Sequence, residues 1–204
     1  MKKIALLLML TLFTVSANAQ KKKAAAKPVA KAANVLAKAD NLTAEILKGS
    51  FVVFVSNGKA KDSLFSRRFD AAKTLPMDAK ITPFKAKGVS LHAISWTQKN
   101  VSETKLKNEE ALTTFTEIWD VAAKKQIIVN SQITTKVSEI VYLDKNQTVS
   151  ETQQKMRREG FELTITPEGD LVLKNKTQEN RMTYDAAQQK FVNVATPKAA
   201  PKKK

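Results

Sequence analysis

From Ile127 to Leu143 apolar and polar residues alternate with a period of two. Ile127, Val129, Ile133, Val137, Val141 and Leu143 fall on one parity, and Asn130, Gln132, Thr134, Lys136 and Ser138 on the other. A strand sends two such sets to opposite faces, whereas a helix would scatter them around its circumference. The segment therefore reads as a half-buried strand, or as two strands with a bend near Ser131 or Thr135. Its apolar face needs a cover, which commits this part of the chain to a sheet that packs or closes on itself.

Neighbouring segments agree. Phe51 to Val55 is apolar on both faces and reads as a buried strand, followed by Ser56-Asn57-Gly58-Lys59 with the Asn-Gly pair favoured in tight hairpins. Val89 to Thr97 reads as a strand and Val101 to Lys107 as a weaker, polar one. Residues 60–88 hold Phe65, Phe69, Leu75 and Phe84 among basic and small residues, with Pro76 and Pro83 as breakers, and support no assignment. The stretch 111–119, ALTTFTEIW, fits a helical face through Leu112, Phe115, Ile118 and Trp119, but Thr113, Thr114 and Thr116 favour a strand. An internal echo decides between them. Trp119-Asp120 leading to Ile127-Ile128-Val129-Asn130 repeats in Tyr184-Asp185 leading to Phe191-Val192-Asn193, so both read as hairpins. Phe161 to Thr166, Leu171 to Lys174, Arg181 to Tyr184 and Phe191 to Val194 are short strands, with Pro167 to Asp170 a turn.

Two segments carry helix punctuation. Asn41 or Thr43 can cap a two-turn helix that ends at Lys48-Gly49. Ser150 with Gln153 makes a capping-box pattern, Arg157 and Arg158 sit where a last turn would be, and Gly160 follows. The expected fold is mainly β, residues 41–195: an antiparallel meander forming a barrel or a curved sheet, with one or two short helices. The alternative is an α+β sheet covered by helices.

The ends have a different character. Lys2 and Lys3 precede a nearly all-apolar run, Ile4 to Val15, and Ser16-Ala17-Asn18-Ala19 supplies small residues. That is the pattern of a secretory signal peptide, residues 1–19, cleaved after Ala19. The run is shorter than the roughly 20 residues that cross a bilayer as a helix. Export to a bacterial periplasm or the exterior is therefore expected. Residues 20–40 and 196–204 are Lys- and Ala-rich and aromatic-free, so both read as disordered tails, with a weak helix open to 33–39. The formal net charge is +16, and most of the mature charge sits on these tails. Lys21, Lys22, Lys23, Lys27, Lys31, Lys202, Lys203 and Lys204 are the candidate polyanion-binding residues.

Composition narrows the chemistry. There is no Cys, which excludes disulfides, thiol nucleophiles, Cys-based zinc sites and thiol-anchored lipids, and five glycines leave no Gly-rich phosphate loop. The single His, His92, lies in a strand and rules out a His-rich metal site; no metal ligands, catalytic residues or cofactor are assigned. Carboxylate pairs such as Glu109 with Glu110 read as solvated acids, although a hydrolase with convergent acids is a third reading. Export and the lack of aromatics in the tails argue against nucleic acid. The expected function is a non-enzymatic binding or structural module. Its basic tails would associate with anionic envelope polymers or a membrane surface. The alternative is a small barrel carrying an apolar ligand lined by Trp96, Phe115 and Trp119.

Overall fold

A computed structural model describes residues 34–70 and 74–194. Three antiparallel sheets follow one another along the chain. Sheet I holds β1 (Asn34–Ala39), β2 (Leu42–Leu47), β3 (Ser50–Asn57) and β4 (Ala60–Arg68). Sheet II holds β5 (Pro76–Ala86), β6 (Val89–Glu103), β7 (Lys107–Asp120), β8 (Lys125–Tyr142) and β9 (Ser150–Gly160). Sheet III holds β10 (Glu162–Ile165), β11 (Leu171–Lys174), β12 (Glu179–Asp185) and β13 (Lys190–Asn193). Each strand pairs with its sequence neighbour, so every sheet is a meander and none closes into a barrel.

Mainly β is thus the observed class, but the two short helices are not: among the described residues there is no helix. Leu42–Leu47 pairs along its length with Ser50–Val55. The Lys48-Gly49 that would stop a helix instead closes this hairpin, with φ of 48° and 74°. Two successive positive φ values are what a two-residue type I′ hairpin turn requires. Ser150–Gly160 runs as β9 against β8, eleven residues in unbroken register. Its helix-forming composition is overridden because β8 would otherwise be an unpaired edge. Strand pairing also begins earlier than expected. Asn34–Ala39 forms β1 inside the stretch read as a tail, because its backbone pairs with β2 and Leu36, Ala37 and Ala39 pack on the core.

Alternation along β6 shows how the sheets are layered. Ile94 and Trp96 belong to a core built with Leu42, Phe51, Val53 and Phe65 of sheet I. Leu91 and Ala93, on the opposite parity, belong to a second core with Leu171, Tyr184 and Phe191 of sheet III. Sheet II is therefore the middle layer, with a side I and a side III. Burial on both faces of β6 accounts for apolar residues on both parities of Val89 to Trp96.

Neither core extends along the whole of sheet II. Beyond Trp96 on β6 and before Phe115 on β7, no residue joins either cluster. The outer halves of β6 to β9 project past sheets I and III. Strand β8 runs unbroken through both halves, without the bend considered near Ser131 or Thr135. Its apolar parity is not uniformly buried: Val137 is 8% exposed, whereas Val129 is 61% and Leu143 59% exposed. Val137 is in the projecting half and Val129 opposite the buried Glu117, so burial follows neither the parity nor the two cores, and periodicity alone could not say which residues would be inside.

Candidate functional site

The residues singled out from sequence occupy separate places. Trp96 and Trp119 are buried, and Phe115 packs against them between sheets I and II. Trp96 stacks on Phe115 and Phe65 on Trp119, each pair with ring centroids 5.3 Å apart. Offset stacking of this kind fills an inter-sheet core. Lys21, Lys22, Lys23, Lys27, Lys31, Lys202, Lys203 and Lys204 lie outside the described residues, as does the cleavage point after Ala19.

His92 faces side I. Its Nε2 lies 3.1 Å from Asp40 Oδ2, beside a hollow of about 320 Å³ lined by Asn41, Asn57, Ser90 and Lys124. Its Nδ1 is buried and has no hydrogen-bond partner. The nitrogen left over by Asp40 is therefore screened from solvent, which is the wrong way round for a proton-transfer group that must reach a substrate. Among the described residues no three His, Asp or Glu side chains are grouped as a metal site.

Glu117 is the most buried acid and acts within the fold. It is 2% exposed and faces sheet I. Arg67, on β4, donates from Nε to its Oε1 at 2.9 Å, with Nη2 2.8 Å away. Trp119 Nε1 and Gln126 Nε2 donate to Oε2 at 2.9 and 2.6 Å. All the donors come from the protein, so the carboxylate is a clamp between two sheets rather than an open site.

The projecting half of sheet II differs, because its two sides contrast. On side I the ion pairs Lys107–Glu109, Lys155–Glu139 and Arg157–Glu159 lie over Thr135 and Val137. These pairs lie over a buried row, Thr135 and Val137 being 4% and 8% exposed. Register places different residues on side III. One row across the strands reads Lys99, Leu112, Thr134, Arg158, and the next Val101, Glu110, Lys136, Met156. The row after that is polar, Glu103, Asn108, Ser138, Gln154, and Ile140 and Tyr142 lie farther out along β8. Every large apolar residue exposed on the paired strands of this half, Val101, Leu112, Ile140, Tyr142 and Met156, is on side III. Leu106, Leu143 and Val149, also exposed, occupy the turns at the tip.

Two hollows mark this side. The outer, of about 450 Å³, is lined by Asn108, Glu110, Lys136, Ser138, Gln154 and Met156, a size within the range of small-molecule sites. The inner, of about 200 Å³, lies where side III meets sheet III and is lined by Gln132, Arg158, Glu162, Lys174 and Lys176. Glu110 is held 2.8 Å from Lys99, whose hydrogen bond keeps its carboxyl below the usual range. Lys174 pairs with Glu179 at 3.1 Å. Among the described residues no ion-pair partner engages Lys136, Arg158 or Lys176. The face thus sets exposed apolar side chains among charged ones, two of its cations and Lys176 beside it having no ion-pair partner among the described residues. Large apolar side chains gathered on one exposed side of a sheet are a candidate surface for association.

No protein family, curated protein or solved structure matches the chain.

Proposed function

We propose that this chain is a non-catalytic binding module of a bacterial envelope, with side III of the projecting sheet as its binding surface. Its Lys-rich tails hold it near anionic polymers. The observation that carries the reading is where the exposed large apolar side chains of this half fall: Val101, Leu112, Ile140, Tyr142 and Met156 are all on side III. A solvated extension would have no use for five exposed apolar side chains on one side only. The apolar-carrier reading survives in altered form. The ligand would lie on an open sheet face rather than inside a barrel.

The test uses the neutral fluorophore N-phenyl-1-naphthylamine with the full exported chain. The chain should enhance its emission, and the double variant Leu112→Ser/Met156→Ser should lose most of that enhancement at unchanged far-UV circular dichroism. No enhancement, or equal enhancement by both proteins, would reject side III as the binding surface.

A further inference from the structure

We propose that β9 is a dimerisation edge: two copies of this chain pair their β9 strands antiparallel about a two-fold axis at Gln154, joining their middle sheets into one. The proposal does not rest on side III as a binding surface. Sheet II ends at β9, which runs in unbroken register with β8, and among the described residues no strand lies on its other side. It contains no proline and no bulge, and every side chain on it except Gln153 is exposed. The opposite edge, β5, carries Pro76 and Pro83 and a register shift between Met77 and Lys80, and it lies against β1. Prolines, bulges and cover are how proteins keep an edge from pairing. Strand β9 has only its charges, so their order along the strand decides what it accepts.

Two backbone bonds fix which groups face outward. Leu143 N–H donates to the Val149 carbonyl in line with the β8–β9 register, and Ile140 N–H donates to the Leu106 carbonyl on the β7 side. Odd-numbered residues of β9 therefore turn their N–H and C=O toward β8, whereas Thr152, Gln154, Met156 and Arg158 turn theirs to the free edge. With Gln154 opposite its own copy, Ser150 faces Arg158, Thr152 faces Met156, Gln153 faces Lys155 and Glu151 faces Arg157, each twice. No like charges meet. Glu151 accepts from the neutral Gln153 and has no ion-pair partner among the described residues. Arg157 pairs with Glu159 at 2.7 Å and keeps donors to spare. Moving the axis to Lys155 would set Lys155 against itself and Glu151 against Glu159, which is destabilising. Moving it to Gln153 would shorten the ladder to Ser150–Met156. Sheet III follows the Gly160 end of each β9, so antiparallel copies carry it at opposite ends of the joint.

Sedimentation equilibrium of the full exported chain over a concentration series tests the proposal. The mass should rise reversibly from one copy to two, because one strand-to-strand contact buries less than a standard stable interface. Gln154→Pro removes both central bonds but no donor that β8 uses. It should weaken the dimer at least about tenfold at unchanged far-UV circular dichroism. Glu151→Arg and Arg157→Glu should each lose the dimer alone and form a heterodimer when mixed, because the mixture restores both opposite-charge pairs. Monomer mass at every concentration of the parent would overturn the proposal. So would a dimer that Gln154→Pro leaves as tight as before, or charge variants that stay apart when mixed.

Discussion

The strongest single handle on the fold is the Arg67–Glu117 clamp. Arg67→Met keeps an apolar stem over Phe65 but removes the guanidinium, which lies 5.1 Å from that ring and bonds Glu117 at 2.9 and 2.8 Å. The Glu117 carboxylate, 3% exposed, would keep only the two neutral donors, Trp119 and Gln126. Stranding a buried charge in this way costs about 3–5 kcal/mol when both partners are inside. The Arg67 side chain is 43% exposed, so water can enter where the guanidinium was. A loss of about 2–3 kcal/mol is expected, a drop in melting temperature of roughly 5–10 °C for a domain of this size. Glu117→Leu fails differently: it frees Arg67 to solvent but leaves the buried Trp119 N–H without an acceptor, again about 2 kcal/mol. The double variant removes the stranded charge, so the two losses should fall short of adding by about 2 kcal/mol. Urea denaturation of the four proteins measures the cycle. Additivity within about 0.5 kcal/mol, or an Arg67→Met variant as stable as the parent, would refute the clamp.

Other expectations follow from packing and charge. Phe51→Ala, at a side chain with no exposure, should lose about 3–5 kcal/mol by denaturant titration. Gly169 has φ 84°, and a Cβ there would stand 2.0 Å from the Lys85 carbonyl oxygen. Gly169→Ala should therefore cost about 2–3 kcal/mol and loosen sheet III, read as lost protection of its amides in hydrogen exchange. Leu112→Ser/Met156→Ser should leave the urea midpoint within the equivalent of about 0.5 kcal/mol, because both side chains already face solvent. Hydrogen bonds from Lys124, Lys107 and Lys99 hold Asp62, Glu109 and Glu110 below their ordinary values of 3.8, 4.5 and 4.5. A lowered folded pKa means the unfolded chain takes up protons first as pH falls. The midpoint should thus be flat above about pH 5 and fall below it, with Glu110→Gln shrinking the fall.

Strands were legible where β-branched and aromatic residues dominate. The Thr-rich stretch 111–119 and its echo near 184–193 led to hairpins that both occur, Asp120 to Lys125 and Asp185 to Lys190. The helices were misread because capping signals are local and cheap. Asn, Thr and Ser before Glu or Gln, with Gly at the end, are compatible with a strand between two tight turns once a partner strand supplies the hydrogen bonds. Gly49 takes the left-handed region, as a helix stop would, but the turn that needs it is a hairpin. Residues 60–88 were opaque because β4 carries a single buried side chain, Phe65, and β5 contains two prolines.

The binding surface was illegible for a related reason. Arg158 and Met156 were assigned to a helix, and Lys136 to the polar parity of an isolated strand. Only the register of β9 on β8, Arg158 opposite Thr134 and Met156 opposite Lys136, brings them to one face with Leu112 and Val101. That register also separates stability from binding along the same strands. Near Trp96 and Ile118 both sides of sheet II are covered, and their burial anchors the fold. Farther out the ladder of β6 to β9 continues past both cores, with Thr135 and Val137 still buried on side I. Ion pairs form on both sides there, and the large apolar side chains of side III stay exposed, outside both cores. Residues there can be chosen for a ligand at little cost in stability. The neutral stability expected of Leu112→Ser/Met156→Ser is the direct test of that division, because a fold that depended on these side chains would lose its midpoint along with its ligand.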